Sequence, residues 1–224
     1  MVCVLFLISV VMMSLFLYVR NKGVGVIALF TKILASVSFI ALGLSGVINK
    51  TFDYTYMCFI IGLVCGLVGD VLLDLKMMYK EEDRKYFNLG VLSFSLGHVA
   101  YFSALLSYFA SWIAIAISIS IGIAFAIGFN LSSKMMKLKT EDVKFQMAAY
   151  SFILAFVTSF CMIGAINNSS LWISAIGLIL FFISDFILSF IYFKDGDKNK
   201  TLVFLNHLAY YLGQILIALN IFFL

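Results

Sequence analysis

Two aspartates lie deep inside apolar runs of this 224-residue chain. Asp70 sits in Gly62-Leu-Val-Cys-Gly-Leu-Val-Gly-Asp-Val-Leu-Leu-Asp74, and Asp185 in Gly177-Leu-Ile-Leu-Phe-Phe-Ile-Ser-Asp-Phe-Ile-Leu-Ser189. An ionisable side chain within a membrane span is costly and needs a partner or a wet cavity, so each marks a functional site. Asp74 recurs on the Asp70 face with Gly62 and Gly66, at four-residue spacing. His98-Val-Ala-Tyr-Phe102 returns as His207-Leu-Ala-Tyr-Tyr211, where His207, Tyr210, Tyr211 and Gln214 form a polar stripe flanked by Asn206. Lys32 lies within another apolar run.

Paired carboxyls can divide acid–base work, one delivering a proton while the other stabilises a cation or activates water. Asp70 and Asp185 are the candidate catalytic pair, with neither assigned as acid or base. His98, Tyr101, His207 and Tyr210 would orient or shuttle protons, with Tyr211 and Asn206 supporting. Lys32 would bias one aspartate or bind phosphate; the competing reading is a lysine snorkelling to the interface. Asp74 is the weaker carboxyl, a solvated helix-end charge being its alternative. The bland account of the polar stripes is interhelical hydrogen bonding, each bond worth about 0.6–2 kcal/mol.

The elements that must position these groups are membrane helices. The chain is 64% hydrophobic and only 12% charged, whereas soluble domains carry about 25% charged residues. Eight apolar segments, about 2–19, 24–48, 55–77, 87–108, 111–130, 144–165, 171–193 and 202–223, are each long enough to cross a hydrocarbon core of about 30 Å. The expected fold is therefore all-α: a polytopic membrane protein of eight transmembrane helices forming one integral membrane domain over 1–224. The first run lacks a basic leader and a small-residue cleavage site, and reads as a retained helix rather than a signal peptide. Proline is absent, so any helix break falls to glycine or a π-bulge. The cysteines Cys3, Cys58, Cys65 and Cys161 lie in apolar runs without metal-ligand spacing; no metal or cofactor is expected.

Charge sets the expected topology. Of fifteen basic residues, thirteen fall in or at the edges of the odd-numbered loops, from Arg20 and Lys22 through Lys76–Lys85 and Lys134–Lys144 to Lys194–Lys200. Only Lys50 lies in an even loop. The positive-inside rule then places the odd loops in the cytoplasm and both termini on the other side, with a bacterial plasma membrane as the expected location.

Setting Asp70 on Asp185 also aligns Gly62 with Gly177 and Leu73 with Leu188, and Lys32 finds a counterpart in Lys144. The reading is a parallel duplication of a four-helix unit, about 1–109 and 110–224. Together the charge map and the repeat place Lys32, both aspartates and both histidines at similar depths in the cytoplasmic half.

Gly69-Asp70-Val-Leu-Leu, Gly97-His98-Val-Ala-Tyr101 and Ser184-Asp185-Phe-Ile-Leu188, in that order across the spans, resemble the YhhN family, which includes the lysoplasmalogenases. The family's Lys-Pro element is half present, since Lys32 precedes Ile33. The resemblance covers essentially the whole chain. It implies an ether hydrolase that cleaves the vinyl ether of lysoplasmalogen to a fatty aldehyde and glycerophosphoethanolamine or glycerophosphocholine. Its expected partners are a lysophospholipid substrate and membrane lipid, with no nucleic acid. The alternatives are a small proton-coupled transporter or channel using the same aspartates, or a scaffold whose aspartates only pair helices.

Overall fold

A computed structural model describes residues 1–48, 50–51, 53–136, 138, 140–194 and 199–224. Lys137, Lys139 and Lys198 of the charge map lie outside the described residues. Among those described, eight long helices follow one another: α1 (Val2–Lys22), α2 (Val26–Ser45), α3 (Tyr54–Met78), α4 (Asp83–Tyr108), α5 (Trp112–Met135), α6 (Lys144–Asn167), α7 (Trp172–Phe193) and α8 (Lys200–Asn220). All eight are long and apolar enough to cross a membrane. The chain is an all-α integral membrane protein.

Hydrocarbon offers no partners to the backbone, so apolar runs of this length must bond their own N–H and C=O groups as helices. Local side chains fix where two of them begin. The Ser111 hydroxyl accepts from the Ala114 N–H at 3.3 Å to start α5. The Asn199 side-chain oxygen accepts from Thr201 and Leu202 at 3.1 and 3.2 Å to start α8. Gly23, with φ of 150°, turns the chain from α1 into α2. The largest overruns of the apolar segments are in α4, which begins at Asp83 rather than 87, and α5, which ends at Met135 rather than 130. Polar residues there extend the helix beyond the hydropathy signal, which reports only the hydrocarbon-crossing part.

Sequential helices pack in pairs, α1 on α2, α3 on α4, α5 on α6 and α7 on α8. The pairs join where α4 packs on α6 and where α8 packs on α2, α1 and α3. Small residues set the closest approaches. A Cβ on Gly177 would come within 2.8 Å of the Gly213 carbonyl oxygen, and one on Gly97 within 3.1 Å of the Gly62 carbonyl oxygen. Phe16, Phe39, Phe59, Phe160, Phe181, Tyr101 and Tyr211 fill the centre. Helix α5 is peripheral, packing mainly on α6. It leaves a groove between itself and α7 with α6 as the floor.

Candidate functional site

The functional side chains form two neighbouring constellations. The first is an ion cluster among α1, α2, α3 and α8. Lys32 is 3% exposed, Asp70 4% and Asp74 2%. The Lys32 ammonium lies 3.3 Å from Asp70 Oδ1 and 3.1 Å from Asp74 Oδ1, and donates to the Asp70 carbonyl oxygen at 3.2 Å. These three acceptors match the three protons of an ammonium. Arg20 donates to Asp74 Oδ2 at 3.4 Å. Two cations thus face two carboxylates, which is the condition for burying charge in an apolar bundle.

Hydroxyls complete the Asp70 shell. Ser36, one helical turn after Lys32 on α2, donates to Asp70 Oδ2 at 2.7 Å. The Tyr211 hydroxyl lies 3.4 Å from the same oxygen, 3.2 Å from the Ser36 hydroxyl and 3.2 Å from the Lys32 carbonyl oxygen. Beside this shell Tyr101 donates to Gln214 Oε1 at 2.9 Å, and Gln214 Nε2 donates to the Tyr210 hydroxyl at 3.2 Å. Asn206 ties α8 to α7 by donating to the Ser184 carbonyl and hydroxyl oxygens at 2.8 and 2.9 Å.

The second constellation is built on Asp185. Its carboxyl accepts from the Tyr150 hydroxyl on α6. Among the described residues no Lys or Arg is ion-paired with it. It is partly exposed and opens into the α5–α7 groove, a cavity of about 320 Å³. Phe125, Gly128, Phe129, Phe182 and Phe186 wall the cavity, with Ser132, Ser151 and Ser189 the other polar side chains of its lining. The Phe125 and Phe182 rings, 5.1 Å apart, divide it from a further apolar lobe of about 250 Å³ along Ile121, Met162 and Ile179.

An aromatic partition separates the two. Phe94, Phe181 and Tyr210 meet edge to face at 5.2–6.0 Å. The His98 ring packs 4.7 Å from Phe181 and 6.2 Å from Tyr150. Its Nδ1 bonds the Phe94 carbonyl at 2.8 Å, and its Nε2 has no hydrogen-bond partner among the described residues.

The geometry decides two open alternatives, at Asp74 and Lys32, and corrects one expectation, the near-equivalence of Asp70 and Asp185 drawn from the repeat. Asp74 is not a solvated helix-end charge, because Lys32 and Arg20 both turn inward onto it. Lys32 does not snorkel; its ammonium is spent on the two aspartates. Asp70 and Asp185 are not equivalent, since the first is ion-paired and enclosed whereas the second carries a tyrosine hydroxyl and faces a groove. Tyr101, Tyr210, Tyr211 and Lys32 gather around or beside Asp70, His98 lies between the constellations, and His207 lines a separate cavity at the basic end.

Sequence reasoning missed Arg20, Ser36 and Tyr150. Arg20 reads as one of two basic residues ending the first span, and only its burial reveals the inward turn. Serine and tyrosine are common in membrane helices, so neither carries a signal until its partner is known. The four-residue step from Lys32 to Ser36 was the one available hint.

The YhhN family profile matches residues 27–221, from α2 to the end of α8. No curated protein matches the chain, nor does any solved structure.

Proposed function

The chain belongs to the YhhN family, and we propose from that membership and the setting of Asp185 that it hydrolyses the vinyl ether bond of lysoplasmalogen. The products would be a fatty aldehyde and glycerophosphoethanolamine or glycerophosphocholine. One observation carries the reading: a carboxyl with a tyrosine hydroxyl on it, and no cation paired with it among the described residues, faces an apolar groove in the membrane-spanning part of the bundle.

A vinyl ether hydrolyses when an acid protonates the alkene carbon remote from oxygen. In this reading Asp185 gives that proton, the alkene electron pair forms the new C–H bond, and the ether oxygen shares the positive charge as an oxocarbenium ion. The Asp185 carboxylate then takes a proton from the water that adds to the cationic carbon. The resulting hemiacetal breaks its bond to the glycerol oxygen, giving aldehyde and free hydroxyl. Water is consumed and the acid is regenerated, as in the acid–base logic of glycosidases. Tyr150 fixes the carboxyl. Asp70 serves as the second carboxylate, its charge held in place by Lys32, Ser36 and Tyr211.

The groove suits a lipid with one chain. Its Phe-lined lobes would take the hydrocarbon, while Lys134, Lys144 and Lys194 belong to the ends of α5, α6 and α7 where a phosphate head group would sit. Asp185 lies nine residues before Lys194, roughly 13 Å along a helix. That depth is within the span of a lysolipid's glycerol and first chain carbons plus a downward-reaching lysine. With the basic loops cytoplasmic, the substrate would enter from the inner leaflet of a bacterial plasma membrane.

The test is aldehyde release from lysoplasmalogen by purified protein in detergent or nanodiscs. No release from folded protein would sink the enzyme reading. Solute or proton flux in liposomes that needs Asp70 would favour transport instead.

A further inference from the structure

A second cavity, of about 140 Å³, lies at the basic end between α1, α7 and α8, on another side of α7 from the groove. Arg20, Lys22 and Lys200 contribute to its walls, with His207 and Asn206, and among the described residues no carboxylate lines it. Arg20 decides its chemistry. The residue is 7% exposed, yet its guanidinium is poorly used. One nitrogen reaches Asp74 at 3.4 Å and another points to the Met77 sulfur at 2.9 Å, a weak acceptor. A guanidinium carries five N–H donors, and among the described residues its side chain makes no further hydrogen bond.

A buried, under-bonded guanidinium facing a small cavity free of carboxylates asks for an anion with several acceptor oxygens. We propose that this cavity binds a phosphate mono- or diester, with Arg20 as its forked donor and Lys200 as a second positive charge at the rim. Lys22 contributes less, because its ammonium sits 4.2 Å over the Tyr18 ring. The site is independent of the hydrolase reading, and Arg20 lies outside residues 27–221 matched by the family. Because Arg20 also holds Asp74, an occupied site would strengthen the end of the ion cluster rather than the groove.

Binding is read without turnover, on the full-length protein in detergent, by calorimetry and thermal shift with inorganic phosphate and with glycerol phosphate. A lipid arm uses nanodiscs of phosphatidylglycerol against phosphatidylcholine. Saturable stabilisation is expected from a soluble phosphate or from the anionic lipid, and the arm that responds identifies the source. Arg20→Lys keeps the charge opposite Asp74 but removes the fork, and should weaken binding at least tenfold. Lys200→Gln, on an exposed residue, should weaken it several-fold without touching the fold, and keeps the test decisive if Arg20→Lys is unstable. No saturable binding in any arm, or binding undiminished in Lys200→Gln and in folded Arg20→Lys, would overturn the proposal.

Discussion

The ammonium of Lys32 lies 3.3 Å from the carboxyl of Asp70 in the interior of the bundle, although 38 residues of chain separate them. This pair anchors α2 to α3, and Asp74 with Arg20 extends it to α1. It divides the protein's intramembrane charge into a part that holds helices and a part, at Asp185, that is open to a groove.

Removing the cation should be costly. Lys32→Met leaves Asp70 and Asp74 buried with Arg20 as the one ion-paired cation among the described residues, and breaking a buried pair from one side costs about 3–5 kcal/mol. A marked fall in thermal midpoint is expected, measured by scanning fluorimetry in detergent. Adding Asp70→Asn to Lys32→Met should restore part of the loss; a double variant no more stable than the single one would contradict the pairing.

Asp70→Asn alone should lower stability by about 1.5–3 kcal/mol, the worth of hydrogen bonds to a charged group, because Lys32 retains Asp74. Asp185→Asn should leave the midpoint within about 1 kcal/mol of wild type, since it loses a single hydroxyl contact at a partly exposed site. Equal destabilisation by the two would contradict the asymmetry between them.

Tyr150→Phe removes the hydroxyl that orients Asp185 and nothing else from the groove wall. A lost hydrogen bond of about 1–1.5 kcal/mol corresponds to roughly a tenfold drop in kcat/KM for aldehyde release. The check is steady-state turnover beside a melting curve that shifts by no more than the loss of that one hydrogen bond.

Gly128 lines the groove, and a Cβ there meets nothing within 4 Å. Gly128→Leu should therefore fold at least as well as wild type, gaining about 0.8–1 kcal/mol of helix propensity, while its side chain obstructs the groove beside Asp185. A raised KM for long-chain lysoplasmalogen is expected, with a smaller change for short-chain analogues. Gly177→Ala is the opposite case. Its Cβ would meet backbone of α8 at 2.8 Å, and overpacking of this kind costs about 1–3 kcal/mol.

The spans were legible because hydropathy and charge report directly on where helices cross and end. Lys32 was legible as a partner because a lone cation in an apolar run has few alternatives. What the sequence hid is orientation around each helix axis. Asp70 and Asp185 occupy matching words, Gly-Asp-Val-Leu-Leu and Ser-Asp-Phe-Ile-Leu, yet their surroundings are supplied by other helices. Helix α2 brings a lysine and a serine to Asp70, whereas α6 brings a tyrosine to Asp185, and the Lys144 that aligned with Lys32 makes no ion pair among the described residues. A repeat in one helix does not fix the side chains that its neighbours present. Arg20 was hidden for a related reason: its place at the end of α1 suggests an interfacial charge, and only packing shows it turned inward.

The most direct test of the central claim is aldehyde release from lysoplasmalogen by Asp185→Asn protein whose thermal midpoint matches wild type. Loss of the acid should cut turnover by about 10²- to 10⁴-fold, with substrate still retained in the groove. Turnover within tenfold of wild type would contradict the assignment of Asp185 as the proton donor.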